Sequence, residues 1–151
     1  MEDFIIEQAK FEEREWVAKL MSDSQPWINL RIAYEQCQKT CNDPEYLIFT
    51  AHLENLPCGA IVMHPRGVAG SPYVKSIVVS ENLKGKGVGT ALMKYAENYF
   101  GKSSKHMFLC VSSFNKAAQS FYKRLGYEQA GEFKDYIIEG ESEILMHKKL
   151  A

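Results

Sequence analysis

The chain has 151 residues, 46% of them hydrophobic and 25% charged, with a formal net charge of −1. That is the make-up of one soluble domain, able to bury a core without metals or disulfides. The near-neutral charge gives no general drive towards nucleic acid or anionic lipid, no apolar run approaches the ~20 residues that span a bilayer, and the acidic start MEDFIIEQAKFEERE lacks the layout of a signal peptide.

FIIEQA (Phe4 to Ala9) reads as a first strand. Phe11 to Met21 then carries Trp16, Val17, Leu20 and Met21 at helical spacing. SDSQP breaks that helix, and a second is predicted from Trp27 to Lys39, closed by Asn42, Asp43 and Pro44. The four cysteines stand at 37, 41, 58 and 110 with no CxxC pair and no zinc spacing, so free thiols and no metal site are expected. The period then changes. Tyr46 to Leu53 and Gly59 to His64, around a turn at Glu54 to Pro57, read as a β-hairpin. PRGVAGSP (Pro65 to Pro72) reads as a loop and Tyr73 to Ser80 as the next strand.

A third helix is predicted from Gly87 to Phe100, with Val88, Ala91, Leu92, Tyr95 and Tyr99 as its apolar stripe and Gly101 just beyond its end. His106 to Ser113 is a strand, and Lys116 to Leu125 a helix ended by Gly126. GYEQAGEFKDYII and SEILMHKKL complete the chain as two strands. The order βααβββαβαββ implies an α/β fold of the α+β kind: one mixed sheet with helices on both faces.

Between the strand ending at Ser80 and the third helix stands NLKGKGVGT, with Gly85, Gly87 and Gly89 at alternate positions. A P-loop needs GxxxxGK followed by Ser or Thr, which is absent; Thr90 occupies the third glycine position of a Rossmann fingerprint. A remaining reading is a turn that presents main-chain N–H groups and a helix N-terminus to a pyrophosphate, with Lys84 and Lys86 supplying charge at the rim. The plain alternative is a connecting turn.

SIVVSENLKGKGVGTALMKYAENYF resembles the acetyl-CoA motif of the GNAT superfamily of acetyltransferases: a strand, Arg/Gln-x-x-Gly-x-Gly/Ala, then a helix. Lys84 replaces the usual Arg or Gln, and Gly87 and Gly89 match the two glycines. VSSFNKAAQSFYKRLGYEQAGE resembles the second family signature through Asn115, Ala118, Tyr122, Gly126 and Tyr127. The resemblance implies a fold whose fourth and fifth strands splay around the pantetheine of acetyl-CoA. It implies that Ile77, Val78 and Val79 bond the pantetheine amides. Lys84, Gly85, Lys86, Gly87, Val88, Gly89 and Thr90 would hold the pyrophosphate, Asn115 and Ala118 the cofactor, and Tyr122 would sit near its sulfur.

Acetyl transfer to an amine needs donors for the carbonyl oxygen, a proton donor for the departing thiolate and a route for the amine's proton. Tyr122 is the candidate donor; it also lies on the apolar stripe of its helix, as a core residue would. Asn115 has a second reading as a helix cap. No spacing selects a base: His52, His64, Glu132 and Asp135 are candidates beside a base acting through water or no dedicated base, and Cys110, a nucleophile or a plain buried strand cysteine, stands where peptide-N-terminal relatives tend to carry Glu. The acceptor site is expected beside the first two helices and the late hairpin, with Trp27, Tyr34, Glu35, Asp135 and Tyr136 as candidates. The expectation is a cytoplasmic N-acetyltransferase of small primary amines, with no nucleic-acid or membrane partner and with room for a homodimer. The alternatives are a protein N-terminal or lysine acetyltransferase, a non-catalytic acyl-CoA sensor, and a nucleotide-binding domain.

Overall fold

The computed structural model describes residues 3–151; Met1 and Glu2, the first two residues of the acidic start read above, lie outside them. After β1 (Ile5–Gln8) come α1 (Glu13–Ser22) and α2 (Tyr34–Asn42), then the antiparallel meander β2 (Leu47–Leu53), β3 (Leu56–Val68) and β4 (Ser71–Val79). Next are α3 (Val88–Gly101), β5 (His106–Ser112), α4 (Lys116–Arg124), β6 (Glu128–Lys134) and β7 (Ser142–Lys149). The strands form one sheet in the order β1-β2-β3-β4-β5-β7-β6. Its β4–β5 pairing is parallel, as a strand–helix–strand crossover requires. The order read from the sequence is the order observed.

Each face of the sheet has its own core. Val88, Leu92, Met93, Ala96 and Phe100 of α3 pack with Ile61, Met63, Val74, Met107, Leu109 and Val111. On the opposite face Val17, Ala18 and Met21 of α1 and Cys37 and Cys41 of α2 pack with Ala60, Val62 and Val78. The two clusters draw alternate residues from β3, as the period of a strand buried on both faces demands. None of the four cysteines is joined in a disulfide.

Several expectations need correction. The second helix starts at Tyr34, not Trp27. The segment before it is a run of turns, and Arg31, at φ 57°, breaks it, because a left-handed residue cannot continue a right-handed helix. Trp27 and Leu30 are buried all the same, from outside any helix. The stretch Pro65 to Pro72 is no loop: β3 runs to Val68 and turns back through Ala69 and Gly70 into β4. Its register slips between His64 and Val68, and Pro65 falls in that irregular stretch, where a missing N–H is tolerated. The earlier hairpin turns through Glu54 and Asn55 alone, with Leu53 paired to Leu56. On α3, Met93, Ala96 and Phe100 are buried and Tyr99 is 47% exposed, so the inward stripe is rotated from the one expected. Gly101 is the last helical residue and not the one beyond it.

One irregularity makes the cleft. Val62 pairs with Ser76 and Met63 with Val74, leaving Lys75 as the extra residue of a bulge in β4. A bulge bends its strand and sharpens the twist. Accordingly β4 meets β5 only at Tyr73↔Phe108 and Val74↔Leu109. Beyond that point β5 stays with β7 as far as Ser112↔Glu143, while β4 leaves with β3. The expected splay of the fourth and fifth strands is present.

Candidate functional site

A cleft of about 1320 Å³ runs from the N-terminus of α3, through the gap between β4 and β5, to the segment after β6. Its first end is built by main chain. A 3-10 turn, Glu81–Leu83, follows β4. Gly85 and Gly87 adopt φ 77° and 93°, and a Cβ on either would meet no atom within 4 Å. Both glycines thus serve a left-handed backbone beside open space. Gly89 differs: it is helical, and its Cβ would stand 3.3 Å from the Phe121 ring of α4. The third glycine therefore lets two helices approach.

Gly87 caps α3 without any side-chain hydrogen bond, so the N–H groups of the first turn, at Val88, Gly89 and Thr90, are free for a ligand. The start of α4 lines the same cleft through Asn115, Ala117 and Ala118. Asn115 does cap its helix: its Oδ1 accepts from the Ala118 N–H at 3.1 Å. The Asn115 side-chain amino group makes no hydrogen bond to a described residue, and Asn115 lines the cleft. Ile77, Val78 and Val79 line it where β5 has departed, so the main chain there lacks a strand on that side. Lys84 lines the cleft and pairs with Glu81 at 2.8 Å. Lys86 is exposed and lies outside the lining, whereas Arg124 belongs to it. An anion-binding helix end, an unpaired strand edge and an apolar channel fit an acyl-CoA by their donor set.

Tyr122 stands in the cleft wall, 6% exposed, its ring 5.2 Å from that of Phe121 and 6.1 Å from that of Tyr127. Burial pushes its phenol up, so the hydroxyl keeps its proton at neutral pH. Its chain neighbours close α4: the Tyr127 N–H donates to the Tyr122 carbonyl at 3.0 Å and the Gly126 N–H to that of Lys123 at 3.0 Å.

The other end is built by side chains. Trp27, Leu30 and Ile32 line it, and Tyr46, Tyr73, Phe133, Tyr136 and Ile137 add further apolar surface. Of the sequence-derived acceptor candidates, Trp27 and Tyr136 line the cleft. Tyr34, Glu35 and Asp135 do not. Tyr34 interacts with Glu15 of α1, Glu35 is exposed in the first turn of α2, and Asp135 accepts from the Gly140 N–H at 2.7 Å to shape its own turn. Of the base candidates, His64 lines the cleft, 3.4 Å from Glu45. His52 pairs with Glu13 at 2.5 Å, away from it. Glu132 accepts from the Ser142 hydroxyl at 2.6 Å, also outside the lining. Cys110 lines the gap and hydrogen-bonds Tyr73; burial pushes its thiol up, and the Tyr73 bond offsets this only in part.

Sequence reasoning missed Glu143. It is 8% exposed, lines the cleft and accepts a 2.6 Å hydrogen bond from Ser112. The available signal was slight: Glu143 and Leu145 alternate on β7, and only the register with β5 puts Glu143 opposite Ser112.

The model of the acetyltransferase (GNAT) family matches residues 8–127. An uncharacterized N-acetyltransferase of Methanocaldococcus jannaschii is 37% identical over 82 residues, covering 53% of this chain and 53% of that protein. This chain's match thus spans about half the length of that relative. Among solved structures, an aminoglycoside 6'-N-acetyltransferase complexed with coenzyme A superposes with a TM-score of 0.77 at 18% identity, over 97% of each chain. The ribosomal-protein-S18-alanine N-acetyltransferase of Escherichia coli does so with a TM-score of 0.79 at 17% identity, over 99% of this chain and 95% of that one. At these identities the structures establish a shared fold. The family match over most of the chain, with a glycine turn before α3 and an α4 that carry the motif residues, makes this chain a member of the acetyltransferase (GNAT) family.

Proposed function

We propose that the chain, working as one domain in the cytoplasm, transfers the acetyl group of acetyl-CoA to the primary amine of a small molecule. One observation carries this reading: a single cleft is lined by the start of α3, which suits an anion, by an aromatic wall, and by Tyr122. Acetyl-CoA would supply an activated acetyl group as its thioester. The main chain of Lys84 to Thr90 and the α3 N-terminus suit its pyrophosphate, the β4 edge at Ile77 to Val79 its amides, and Asn115 and Ala118 the space between. A buried, protonated phenol supports Tyr122 as the donor to the leaving sulfur.

A small acceptor is supported by the wall opposite the sulfur position, which is aromatic on several sides and carries one carboxylate among the described residues. A polycationic acceptor would call for several carboxylates. Among the described residues no helix is long and apolar enough to cross a membrane. A protein acceptor is the second reading, favoured by the open mouth, where Tyr136 is 69% and Phe133 43% exposed.

The test is release of CoA from acetyl-CoA with a panel of primary amines, checked by product mass. The expected result is turnover with small amines that carry one positive charge and an apolar body. Turnover confined to a peptide N-terminus would move the assignment to the second reading. Binding of acetyl-CoA without turnover would make the chain a sensor.

A further inference from the structure

We propose that Glu143 is the proton acceptor for the attacking amine and that Ser112 positions it; the proposal rests on the transferase reading above. Neither residue was expected from the sequence to do this work.

Three observations carry it. First, Glu143 is the one carboxylate lining the cleft among the described residues, and it lies at the acceptor end. An ammonium entering between the aromatic walls meets no other formal negative charge there. Second, the carboxylate is buried to 8% exposure but not used up. Ser112 donates to Oε2 at 2.6 Å, and Oε1 takes no hydrogen bond from a described residue. Oε1 is also not among the sealed polar atoms, so it opens to the cleft. Third, the site is fixed by the fold. Glu143 stands opposite Ser112 in the β5–β7 register, next to the point where β4 has peeled away. A base held on paired strands keeps its place better than one on a loop.

The surroundings suit the task. From β5 Ser112 and Cys110 face Glu143, from β4 Tyr73 and Lys75, and from β6 Phe133, while Tyr136 of the following segment interacts with Tyr73. Burial raises Tyr73 and Cys110, so both are neutral at working pH. Burial also raises Glu143 above the ordinary carboxylate range; the Ser112 hydrogen bond and the Lys75 charge offset this in part. A carboxylate raised in this way binds an ammonium proton more readily than a solvated one.

The protons balance. Glu143 takes one proton from the bound ammonium and passes it to solvent at the cleft mouth. As the nitrogen–carbon bond forms, Glu143 takes a second proton from the same nitrogen. Tyr122 gives its proton to the sulfur as the carbon–sulfur bond breaks, and water returns the second proton from Glu143 to Tyr122. One proton is released per turnover.

The test is Glu143→Gln, which keeps an acceptor for Ser112, assayed beside the parent with 2-phenylethylamine, lysine, spermidine and an alanyl peptide. CoA affinity by calorimetry and the melting temperature should match the parent. The kcat should fall about a hundredfold or more at neutral pH. Activity should recover as pH rises towards the amine's own pKa. Ser112→Ala removes a bond that favours the carboxylate. The acid limb of kcat/KM should therefore move to higher pH, and a carbon-13 carboxyl titration of Glu143 should move with it. An active parent whose Glu143→Gln variant keeps its rate and acid limb overturns the base and leaves the transferase reading standing. A variant that loses CoA affinity or melts far below the parent shows a structural role and overturns it too. A parent that binds acetyl-CoA and acetylates none of the four amines overturns the reading and the base together.

Discussion

The two ends of the cleft are made of different material. In the proposed reading the working groups at the cofactor end are main-chain N–H groups, held by consecutive residues from Lys84 to Thr90 and by the start of α4. At the acceptor end they are side chains from many elements: Trp27 before α2, Tyr73 on β4, Ser112 on β5, Tyr136 after β6 and Glu143 on β7. A main-chain site tolerates side-chain truncation and fails when the backbone is forced. A side-chain site does the opposite. The variants below test that contrast.

The largest effect is expected where the ends meet. Tyr122→Phe keeps the ring and its contacts with Phe121 and Tyr127, so CoA affinity and melting temperature should hold. The kcat should fall by about ten- to a thousandfold if the hydroxyl donates its proton in the transition state. Unchanged turnover would reduce Tyr122 to packing and leave the cleft without a donor at its junction.

Next is the backbone of the glycine turn. Gly87 holds φ 93°, a conformation that a β-branched residue adopts only under strain. Gly87→Val should weaken CoA binding by about ten- to a hundredfold as the turn is pushed from its anion-binding shape. The melting temperature should fall by a few degrees, because a side chain at this φ strains the backbone by about 1–3 kcal/mol even though the added carbon meets no atom within 4 Å. Calorimetry showing parental affinity would break the contrast at its main-chain end.

The same contrast explains how much the sequence disclosed. Gly85, Gly87, Asn115, Tyr122 and Gly126 fall in two short runs: spacing picks out the glycines, and the resemblance of the second run to the family signature picks out Asn115 and Tyr122, which spacing alone would read as a helix cap and a core residue. Ser112 and Glu143 meet across 31 positions through a strand register, and a single-residue slip would turn Glu143 to the other face. Nothing local announces that. The element order was readable for the first reason: periodicity is local. The false start of the second helix at Trp27 came from apolar spacing that carries on through a turn, which Arg31 then interrupts. The loop expected from Pro65 to Pro72 came from reading Pro and Gly as breakers where a bulged strand absorbs them.

At the side-chain end, Tyr136→Ala removes a ring that is 69% exposed, so stability should hardly change. The acceptor KM should rise by about three- to tenfold, since an aromatic wall contributes on the order of 1 kcal/mol to an apolar body. The kcat and CoA affinity should stay near parental values. A loss of CoA affinity without a change in acceptor KM would assign Tyr136 to the wrong end.

The smallest effect has the most informative sign. Lys84 lines the cofactor end, yet its ammonium lies 2.8 Å from Glu81, and the two side chains are 49% and 89% exposed. An exposed pair of this kind contributes little stability. Its consequence lies in the charge presented to an anion: Glu81 cancels much of what Lys84 offers and repels phosphate itself. Glu81→Gln should therefore raise CoA affinity by about two- to fivefold at low salt, whereas Lys84→Ala should lower it by a similar factor. Both differences should fade as the ionic strength approaches ~1 M, where the screening length drops to about 3 Å. A Glu81→Gln variant that binds CoA more weakly at every salt would mean that the pair orders the turn before Gly85. The cofactor end would then owe its shape to a side chain as well as to its main chain.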